Sequence, residues 1–351
     1  MLGFGLLYAP IFINHLTSEP LNQETYTRNQ NRAVFCKLLE GRNTNYMRGQ
    51  SMQPLEKRKR LRRVLSGKET LLLPVVYDAV SARIAEIAGF EAALLSGSVA
   101  AASLHGFPDL VLVTMTEVAQ LAKRIVDSTT LSLQVDCDNG FGNALNVMRC
   151  VREFEAAGAA ALTIEDTDLP LSYGASGPAA ISVGEMCGKL EAAVAARKDS
   201  EIVIIGRTDT FRFYGMNAAI ERVRAYQETG VDAIFVPGVQ KRKDLEKIRK
   251  NISLPAVTSG LPKNEGDKSG LEILQEIGFC MTVLAKFPFM IVVKTLYDSL
   301  SYLKENGELG PFEEKMGSTG MLEKIIRADQ YKNDQKRFMM AGKNSSIQKK
   351  Q

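Results

Sequence analysis

Eight short apolar runs alternate with longer amphipathic stretches between residues 71 and 285 of the chain. The runs are built mainly from Leu, Val, Ile and Ala, and most of them end in polar residues or Gly. Continuous apolar runs of this kind are typical of strands that are buried on both faces of a parallel sheet. The runs are 71–78, 92–99, 131–138, 160–167, 202–209, 233–239, 254–260 and 279–285.

The segments between these runs have the apolar spacing of amphipathic helices, and they often end at Gly. Examples are SARIAEIAGF, ALNVMRCVREFEAAGA and AIERVRAYQETGVD. Eight strand–helix repeats in about 230 residues predict an α/β fold of the (β/α)8 TIM barrel type. A doubly wound open sheet is the alternative, but it usually carries GxGxxG after its first strand, where this chain has YDAVSAR.

The two ends of the chain lack this pattern. Residues 1–51 begin with an apolar stretch that is too short to span a bilayer and continue into a polar, Asn-rich stretch, and Met52 resembles a natural start. We expect 1–51 to be a disordered leader or an extension of the gene model. We expect 52–331 to be one catalytic barrel with C-terminal helices, and 332–351 to be a polar basic tail.

The composition is that of an ordinary globular protein, with 45% hydrophobic and 24% charged residues, which excludes a disordered or collagen-like chain. The net charge of +4 is too small to indicate nucleic-acid binding, and the run KRKRLRR at 57–63 supplies a local excess. We expect a solvated first helix there, with Leu55, Leu61 and Leu65 facing inward; a nucleic-acid or membrane patch is the alternative.

Cysteine and histidine usage adds two expectations. Five Cys without a CxxC motif indicate a reducing, cytoplasmic compartment. Two His argue against a His-rich zinc site. No signal peptide with a basic n-region and no membrane-spanning segment is expected.

Polar residues gather where the predicted strands end, and a barrel carries its active site at the carboxyl ends of its strands. Each of them alone is compatible with a helix cap or a surface ion pair. Together they indicate a binding site, because so many ionisable groups are costly to place beside apolar strands. They are Tyr77, Asp78, Ser96, Gly97, Ser98, Asp136, Asp138, Glu165, Asp166, Arg207, Asp209, Thr258, Ser259 and Lys286.

Asp136 and Asp138 are the strongest candidates for metal ligands, because side chains at positions i and i+2 of a strand lie on the same face. Two adjacent carboxylates repel each other unless a cation lies between them, and Glu165 on the next strand would add a third. Such an all-oxygen site suits Mg²⁺, with Mn²⁺ as the second choice. The alternative is that Asp138 only caps the following loop.

Arg207 and the Ser96–Ser98 segment suggest how a substrate would be held. A fixed guanidinium at the end of the fifth strand can bind a carboxylate in a bidentate manner. Gly97 allows backbone N–H groups to approach a carboxylate or a developing oxyanion.

The run from about Leu73 to Val239 resembles the isocitrate lyase/phosphoenolpyruvate mutase superfamily. The resemblance rests on YDAVSARIAEIAGFEAALLSGS, DCDNGFGNALNVMRCVREFEAAGAAALTIED and IIGRTD. It implies a (β/α)8 barrel that assembles as a homotetramer, a dimer of dimers, with the C-terminal helices swapped between subunits. It also implies Mg²⁺, a small 2-oxo acid or its enolate, and the making or breaking of a C–C or P–C bond next to a carbonyl.

The same resemblance implies roles for individual residues. Ser96, Gly97 and Ser98 would form the substrate-carboxylate and oxyanion site, and Arg207 would bind substrate. The metal set would be Asp136 as principal ligand, with Asp138 and Glu165 in the metal and water shell. Asp109, in FPDLVLVT, would face the same pocket.

Departures from the superfamily pattern narrow the subgroup. Isocitrate and methylisocitrate lyases carry KKCGH or KRCGH after the fourth strand, where this chain has LPLSYGASGPAAISVGEM, without Cys or His. Asp166 is followed by Thr167 rather than by the Lys of phosphonate mutases. The phrases GNALNVMR and AYQETGVD look closest to the oxaloacetate decarboxylase branch. That branch has a substrate-facing His after its last strand, where this chain has Lys286. Lys286 would bind the substrate by neutralising a carboxylate, but it cannot serve as a neutral imidazole donor.

The resulting expectation is an Mg²⁺-dependent lyase that decarboxylates oxaloacetate to pyruvate and CO2 through a metal-stabilised enolate. Metal-bound water, Tyr77 and Tyr173 are the candidate proton donors, and residues 171–184 are predicted to act as a mobile lid. The alternatives are a C–C lyase for a methylisocitrate-like or substituted malate, a phosphonate-type mutase or hydrolase, and a barrel that binds without catalysis. The expected partner is the small 2-oxo acid, not nucleic acid or a membrane.

Overall fold

The structure is a computed structural model that describes residues 52–339. The expected leader at 1–51 and residues 340–351 of the expected tail lie outside the described residues. Residues 332–339 of that tail belong to the last described helix. No helix within 52–339 has both the length and the apolar character needed to cross a bilayer.

All eight predicted strands are present, and together they confirm the (β/α)8 barrel. They pair in parallel in the order β1-β8-β7-β6-β5-β4-β3-β2. A single parallel bridge between Val75 and Leu94 joins the first two strands and nearly closes the barrel. The strands are β1 (Leu71–Pro74), β2 (Ala92–Leu95), β3 (Ser132–Asp136), β4 (Ala161–Glu165), β5 (Val203–Arg207), β6 (Ala233–Phe235), β7 (Ala256–Ser259) and β8 (Met281–Leu284).

Helices precede, connect and follow the strands. The barrel helices are α1 (Pro54–Leu65), α2 (Ala79–Ile87), α3 (Gly97–His105), α4 (Met115–Ser128), α5 (Ala144–Ala156), α6 (Val183–Ala196), α7 (Thr210–Tyr214), α8 (Met216–Gln227), α9 (Arg242–Arg249) and α10 (Gly270–Ile277). The C-terminal elements are α11 (Phe287–Asn306), a 3-10 helix (Gly310–Lys315), α12 (Thr319–Ile325) and α13 (Ala328–Met339).

The core has two layers, because successive side chains of a strand point to opposite faces. Along β4, Ala161 belongs to the cluster inside the barrel. Leu162 belongs to the layer between the strands and the surrounding helices. The same alternation turns Glu165 toward the inside at the end of β4. It does the same for Asp136 at the end of β3 and Arg207 at the end of β5.

Helix α1 closes the amino-terminal end of the barrel. Leu61 and Leu65 join the inner cluster, as predicted. Leu55 is exposed, so the expectation that it faces inward is wrong. A helix that covers the end of a barrel buries one stripe of side chains, and Leu55 lies outside that stripe.

The basic run in α1 is only partly solvated, since Lys59 and Arg63 alone are exposed among its six basic residues, and this corrects the sequence-based expectation. Lys57 is buried, and its Nζ donates to the carbonyls of Val126 and Thr129, both at 2.7 Å. Arg58 Nη2 donates to the carbonyl of Glu155 at 2.7 Å. These carbonyls lie at the carboxyl ends of α4 and α5, where cations and N–H donors satisfy the unpaired helix carbonyls. Both side chains therefore fix the outer helices to the end of the barrel.

Candidate active site at the carboxyl ends of the strands

Arg207 lies at the centre of a carboxylate cluster in the barrel mouth. Its Nη1 is 3.1 Å from Asp136 Oδ2, and its Nη2 is 2.8 Å from Glu165 Oε2. Its Nε donates to Asp209 Oδ2 at 2.6 Å. Glu165 and Arg207 are register partners on β4 and β5, which explains how two strand ends bring these groups together. One guanidinium therefore orders three carboxylates.

Burial sets the electrostatics of this cluster. It raises the pKa of Asp136 and raises that of Glu165 well above its usual range, while Arg207 acts in the opposite direction. Burial alone would lower the pKa of Arg207, but Glu165, Asp136 and Asp209 raise it, so the guanidinium stays charged. Carboxylates outnumber cations here, and the cluster would be stabilised by a further cation.

Asp138 reaches the cluster by a route that the sequence pattern did not predict. β3 ends at Asp136, and Asp138 adopts a left-handed backbone with a φ of 46°. The expectation that the two residues share a strand face is therefore wrong. The Asp138 N–H instead donates to Asp136 Oδ1 at 3.3 Å. Cys137, between them, is buried in the outer layer.

The Asp138 carboxylate faces the Ser96–Ser98 segment. A Cβ at Gly97 would overlap the Asp138 Oδ1 atom. Within residues 52–339 no hydrogen bond to this carboxylate is found, so Asp138 does not cap its own loop. Burial, followed by the charges of Asp136 and Asp109, raises the pKa of Asp138 to about 8. This is the environment of a carboxylate whose charge requires a cation.

The Ser96–Ser98 segment forms the amino terminus of α3. Ser96 is the N-cap residue, and its side chain makes no capping hydrogen bond. Its Oγ instead lies 3.1 Å from the Oγ of Ser98. The first N–H groups of α3 are therefore left without a side-chain acceptor beside the carboxylate cluster. An uncapped helix amino terminus is suited to binding an anionic group.

The donor set fits a hard divalent cation that keeps much of its water. Within residues 52–339 no group of three or more His, Cys, Asp or Glu side chains is arranged to hold a metal ion. Asp136 and Glu165 both contact Arg207, so the role of the three predicted carboxylates as metal ligands stays a prediction. Asp136 and Asp138 lie next to each other on one side of the cluster, and Mg²⁺ is commonly bound by one or two carboxylates together with several waters.

The other predicted site residues lie around this cluster. Asp109 is exposed, and its charge contributes to raising the pKa values of both Asp136 and Asp138. The Tyr77 ring contacts Phe289 edge-on at 5.1 Å, and burial raises its pKa, so its hydroxyl stays protonated. Lys286 is exposed at the start of α11, at the rim of the mouth.

The segment after β4 has a fixed base and an exposed tip. Its base is the antiparallel bridge between Thr167 and Ala180. Its tip carries Tyr173, which is fully exposed. Ser182 caps α6, so residues 183 and 184 belong to that helix, and the carboxyl boundary of the predicted lid is wrong. The mobility of the remaining segment stays a prediction.

Asp209 is a site residue whose role the sequence analysis missed. The sequence pattern marks it only as a polar residue at a strand end, yet its Oδ2 accepts a hydrogen bond from Arg207 Nε at 2.6 Å. The available signal was its position two residues beyond Arg207 in the motif GRTD, although β5 itself ends at Arg207.

Gly97→Ala should weaken Mg²⁺ binding at the site without destabilising the fold. The atoms nearest to the added Cβ belong to the carboxyl group of Asp138, so we expect the carboxylate to shift and the affinity for Mg²⁺ to fall by about tenfold. The free energy of unfolding should change by less than about 1 kcal/mol. Isothermal titration with Mg²⁺ and urea unfolding measure the two quantities.

The matched control is Gly188→Ala in α6, where an added Cβ meets nothing within 4 Å. It should leave Mg²⁺ affinity unchanged and stabilise the helix by about 0.5–1 kcal/mol. Equal Mg²⁺ affinities in the two variants would contradict the placement of Asp138.

Comparison with known proteins gives a consistent assignment. Residues 61–303 match the family described as phosphoenolpyruvate phosphomutase. The oxaloacetate decarboxylase of Paraburkholderia xenovorans (strain LB400) is 37% identical over 290 residues, which cover 82% of this chain and 96% of that protein.

Solved structures of this kind of enzyme have the same fold. The phosphoenolpyruvate phosphomutase of Streptomyces platensis subsp. rosaceus matches with a TM-score of 0.72 and 28% identity, covering 80% of this chain and 99% of the other. A 2,3-dimethylmalate lyase matches with a TM-score of 0.71 and 27% identity, covering 80% and 95% of the two chains.

Proposed function

Because this chain belongs to the phosphoenolpyruvate phosphomutase family, we propose that it is a carbon–carbon lyase that decarboxylates oxaloacetate to pyruvate and CO2. The observation that carries the proposal is the buried cluster of Asp136, Glu165 and Asp209 around Arg207, beside the uncapped start of α3. Such a site binds a cation and an anionic 2-oxo acid together. The similarity to a named oxaloacetate decarboxylase over almost its whole length supports this substrate.

We propose that Mg²⁺, or Mn²⁺ in its place, is held by Asp136 and Asp138 with water completing the coordination. The carboxylate oxygens and the surplus negative charge around them support this assignment. When bound, the cation acts as a Lewis acid toward the 2-oxo group of the substrate.

The chain's own groups hold the substrate around the bond that breaks. The N–H groups of Gly97 and Ser98 bind the carboxylate next to the 2-oxo group. Arg207 uses one N–H of each nitrogen for its carboxylate partners, so Nη1 and Nη2 each retain one N–H for the enolate oxygen. The C–C bond to the carboxylate farther from the 2-oxo group breaks, and that carboxylate leaves as CO2. The two electrons of the broken bond pass into the enolate of pyruvate.

Decarboxylation needs a proton at the end but no catalytic base at the start. This is compatible with the absence of Cys and His from residues 171–184. Tyr77 is better placed than Tyr173 to protonate the enolate carbon, because it lies half-buried at the mouth, whereas Tyr173 is fully exposed. A water molecule at the open mouth is the alternative donor.

The direct test is pyruvate release from oxaloacetate by the full chain, with Mg²⁺ and after treatment with EDTA. Oxaloacetate decarboxylates slowly with Mg²⁺ alone, so the rate is compared with that of metal without protein. Turnover that needs both protein and metal supports the proposal. A rate no higher than the metal background contradicts it.

One observation favours a second function, cleavage of an alkyl-substituted malate. A cavity of about 340 Å³ adjoins the loop that follows Asp138, and Leu112, Phe141 and Leu169 are among its mainly apolar lining residues. An alkyl group would fit such a surface. The structural neighbour named 2,3-dimethylmalate lyase supports this reading. Release of a 2-oxo acid from that substrate, without turnover of oxaloacetate, would select it.

We also propose a homotetramer, a dimer of dimers, in which the C-terminal helices are exchanged between subunits. Helix α11 has no buried residue, although it carries a long series of apolar side chains. Met290, Ile291, Leu296 and Leu300 are each more than half exposed. An apolar surface of this size on a soluble domain marks a protein interface.

We also propose a reducing, cytoplasmic location, which is supported by the four described Cys being free.

Leu296→Glu is expected to convert the tetramer into smaller species, because a charge at the centre of α11 would have to be buried in the interface. Sedimentation velocity measures the change. Lys304→Glu, at an exposed position near the end of the same helix, is the matched control and should sediment as wild type does. A monomeric wild-type chain would contradict the proposed assembly.

A further inference from the structure

A buried network lies behind the carboxylate cluster, on the side of the sheet that faces the helices. Asp166 follows Glu165 and is fully buried. Its Oδ2 accepts hydrogen bonds from Tyr226 Oη at 2.8 Å and from Arg222 Nη1 at 3.1 Å. Tyr226 and Arg222 lie one turn apart on α8, and Arg222 Nη1 also donates to Tyr226 Oη at 2.9 Å. The helix thus presents two donors to one carboxylate.

The other oxygen of Asp166 connects this network to the site. Asp166 Oδ1 accepts the backbone N–H of Asp209 at 3.1 Å. Asp209 is also buried, and its Oδ2 accepts from Arg207 Nε at 2.6 Å. The position of the Asp209 backbone therefore determines where its carboxylate holds the guanidinium. Three successive contacts lead from α8 to the central cation of the cluster.

The same residues hold the base of the exposed segment that follows β4. Arg222 Nη2 donates to the carbonyl of Ile181 at 2.6 Å. The N–H of Ile181 donates to the backbone carbonyl of Asp166 at 2.9 Å. Both polar groups of the Ile181 backbone are thus bound by the network. The end of the segment and the position of Arg207 depend on the same buried carboxylate.

We propose that Tyr226 and Arg222 are positioning residues for the lyase reaction, acting through Asp166 and Asp209 on Arg207. The inference rests on the proposed function, because it assigns them an effect on turnover. Neither residue reaches the barrel mouth, so neither touches the substrate. Their effect comes from geometry, since a guanidinium displaced by about 1 Å can cost about a hundredfold in rate. A buried network whose donors and acceptors are paired fixes one geometry more firmly than isolated contacts do.

The test compares two variants that each remove one buried hydroxyl, Tyr226 in the last turn of α8 and Thr229 just after that helix. Tyr226→Phe removes the donor to Asp166 and keeps the ring. Thr229→Val is the matched control: Thr229 is buried, and its Oγ1 donates to the Tyr226 carbonyl at 2.7 Å but has no contact with Asp166. Both variants should lower the melting temperature by a few degrees.

Only Tyr226→Phe should alter turnover. We expect its kcat for oxaloacetate to fall about tenfold at a temperature where it is fully folded, with KM within about twofold of wild type. Thr229→Val should keep kcat within about twofold. An unchanged kcat in Tyr226→Phe, or an equal loss in both variants, overturns the inference, because a purely structural role would affect the two alike.

Arg222 provides a second measurement through rescue. Arg222→Met removes the charge beside Asp166 and the donor to Ile181, whereas Arg222→Lys keeps a charge and one donor. The Lys variant should recover part of the kcat lost in the Met variant, with the same KM. Equal kcat values for the two, both at the wild-type level, would overturn the role of Arg222.

A failure of the proposed function would be visible separately. If wild-type protein does not turn over oxaloacetate, the inference is judged by amide exchange in a peptide covering residues 203–214. Faster exchange there in Tyr226→Phe but not in Thr229→Val supports the positioning of Asp209 and Arg207. Equal exchange in the two variants rejects it.

Discussion

Asp136→Asn is expected to lower kcat for oxaloacetate by about a thousandfold, corresponding to about 4 kcal/mol of lost transition-state stabilisation. The substitution keeps the shape of the side chain and one carbonyl oxygen but removes the charge. Asp136 accepts a contact from Arg207 on one oxygen and from the Asp138 N–H on the other. The neutral amide can keep only part of these contacts and is a weak ligand for Mg²⁺.

The stability of the Asp136→Asn variant should distinguish a lost ligand from a damaged fold. Burial raises the pKa of Asp136, so its charged form is disfavoured in the protein without metal, and removing the charge should not destabilise it. Adding Mg²⁺ should raise the melting temperature of wild type, because the ion binds the folded state. The variant should show little or no rise.

Asp127→Asn is the control for the loss of a carboxylate as such. Asp127 is exposed and pairs with Lys123 on the surface of α4, at 2.8 Å. Its kcat and its response to Mg²⁺ should match those of wild type. An Asp136→Asn variant that keeps more than about a tenth of wild-type kcat would contradict the assignment of Asp136 to the metal.

The fold was predictable because strands buried on both faces leave a strong signal. All eight apolar runs contain a strand, and each strand is shorter than its run. The runs also include residues beyond the strand ends, such as Asp138, because the sequence alone does not show where the pairing between strands stops. The left-handed backbone at Asp138 occurs in the Gly-containing turn DNGFG, which was a usable signal.

The hydrogen-bond and ion-pair partners of the side chains are harder to predict from the sequence than the positions of the residues in the fold. The sequence of α1 predicts solvated basic residues, because it does not show that their hydrogen-bond acceptors are main-chain carbonyls of distant helices. An example is Lys57, whose Nζ donates to the carbonyl of Thr129. Arg207 was expected to meet substrate, and the structure shows that most of its guanidinium is already engaged by carboxylates. Asp166 gave no separate signal, because its partners on α8 are remote in sequence.

Arg207→Met is expected to reduce both activity and stability. It removes the guanidinium that contacts all three carboxylates of the cluster, Asp136, Glu165 and Asp209. Asp209 would keep its contact to Arg212, whereas Asp136 and Glu165 would lose this partner. Removing one partner of a buried ion pair typically costs about 3–5 kcal/mol, because the remaining charges stay buried and unpaired. The enolate would also lose its N–H donors, so kcat should fall by about a thousandfold. Urea unfolding and steady-state kinetics measure the two losses.

The loss of stability in Arg207→Met should depend on pH in a defined direction. Burial already raises the pKa values of Asp136 and Glu165, and without Arg207 they should rise further. The folded variant then binds more protons than the unfolded chain above about pH 4. Its stability should therefore fall as the pH rises from 5 to 8, relative to wild type. A constant difference across this range would contradict the buried cluster.

Arg212→Met is the matched control, because Arg212 also binds the Asp209 carboxylate, at 3.1 Å, but its side chain is half exposed. An exposed ion pair contributes less than about 1 kcal/mol, so this variant should unfold nearly as wild type does and keep its kcat within about threefold. If the two arginine variants lost stability and kcat equally, Asp209 would be the important partner rather than the central position of Arg207. A large loss confined to Arg207→Met shows that one buried guanidinium both holds the strand ends together and completes the site.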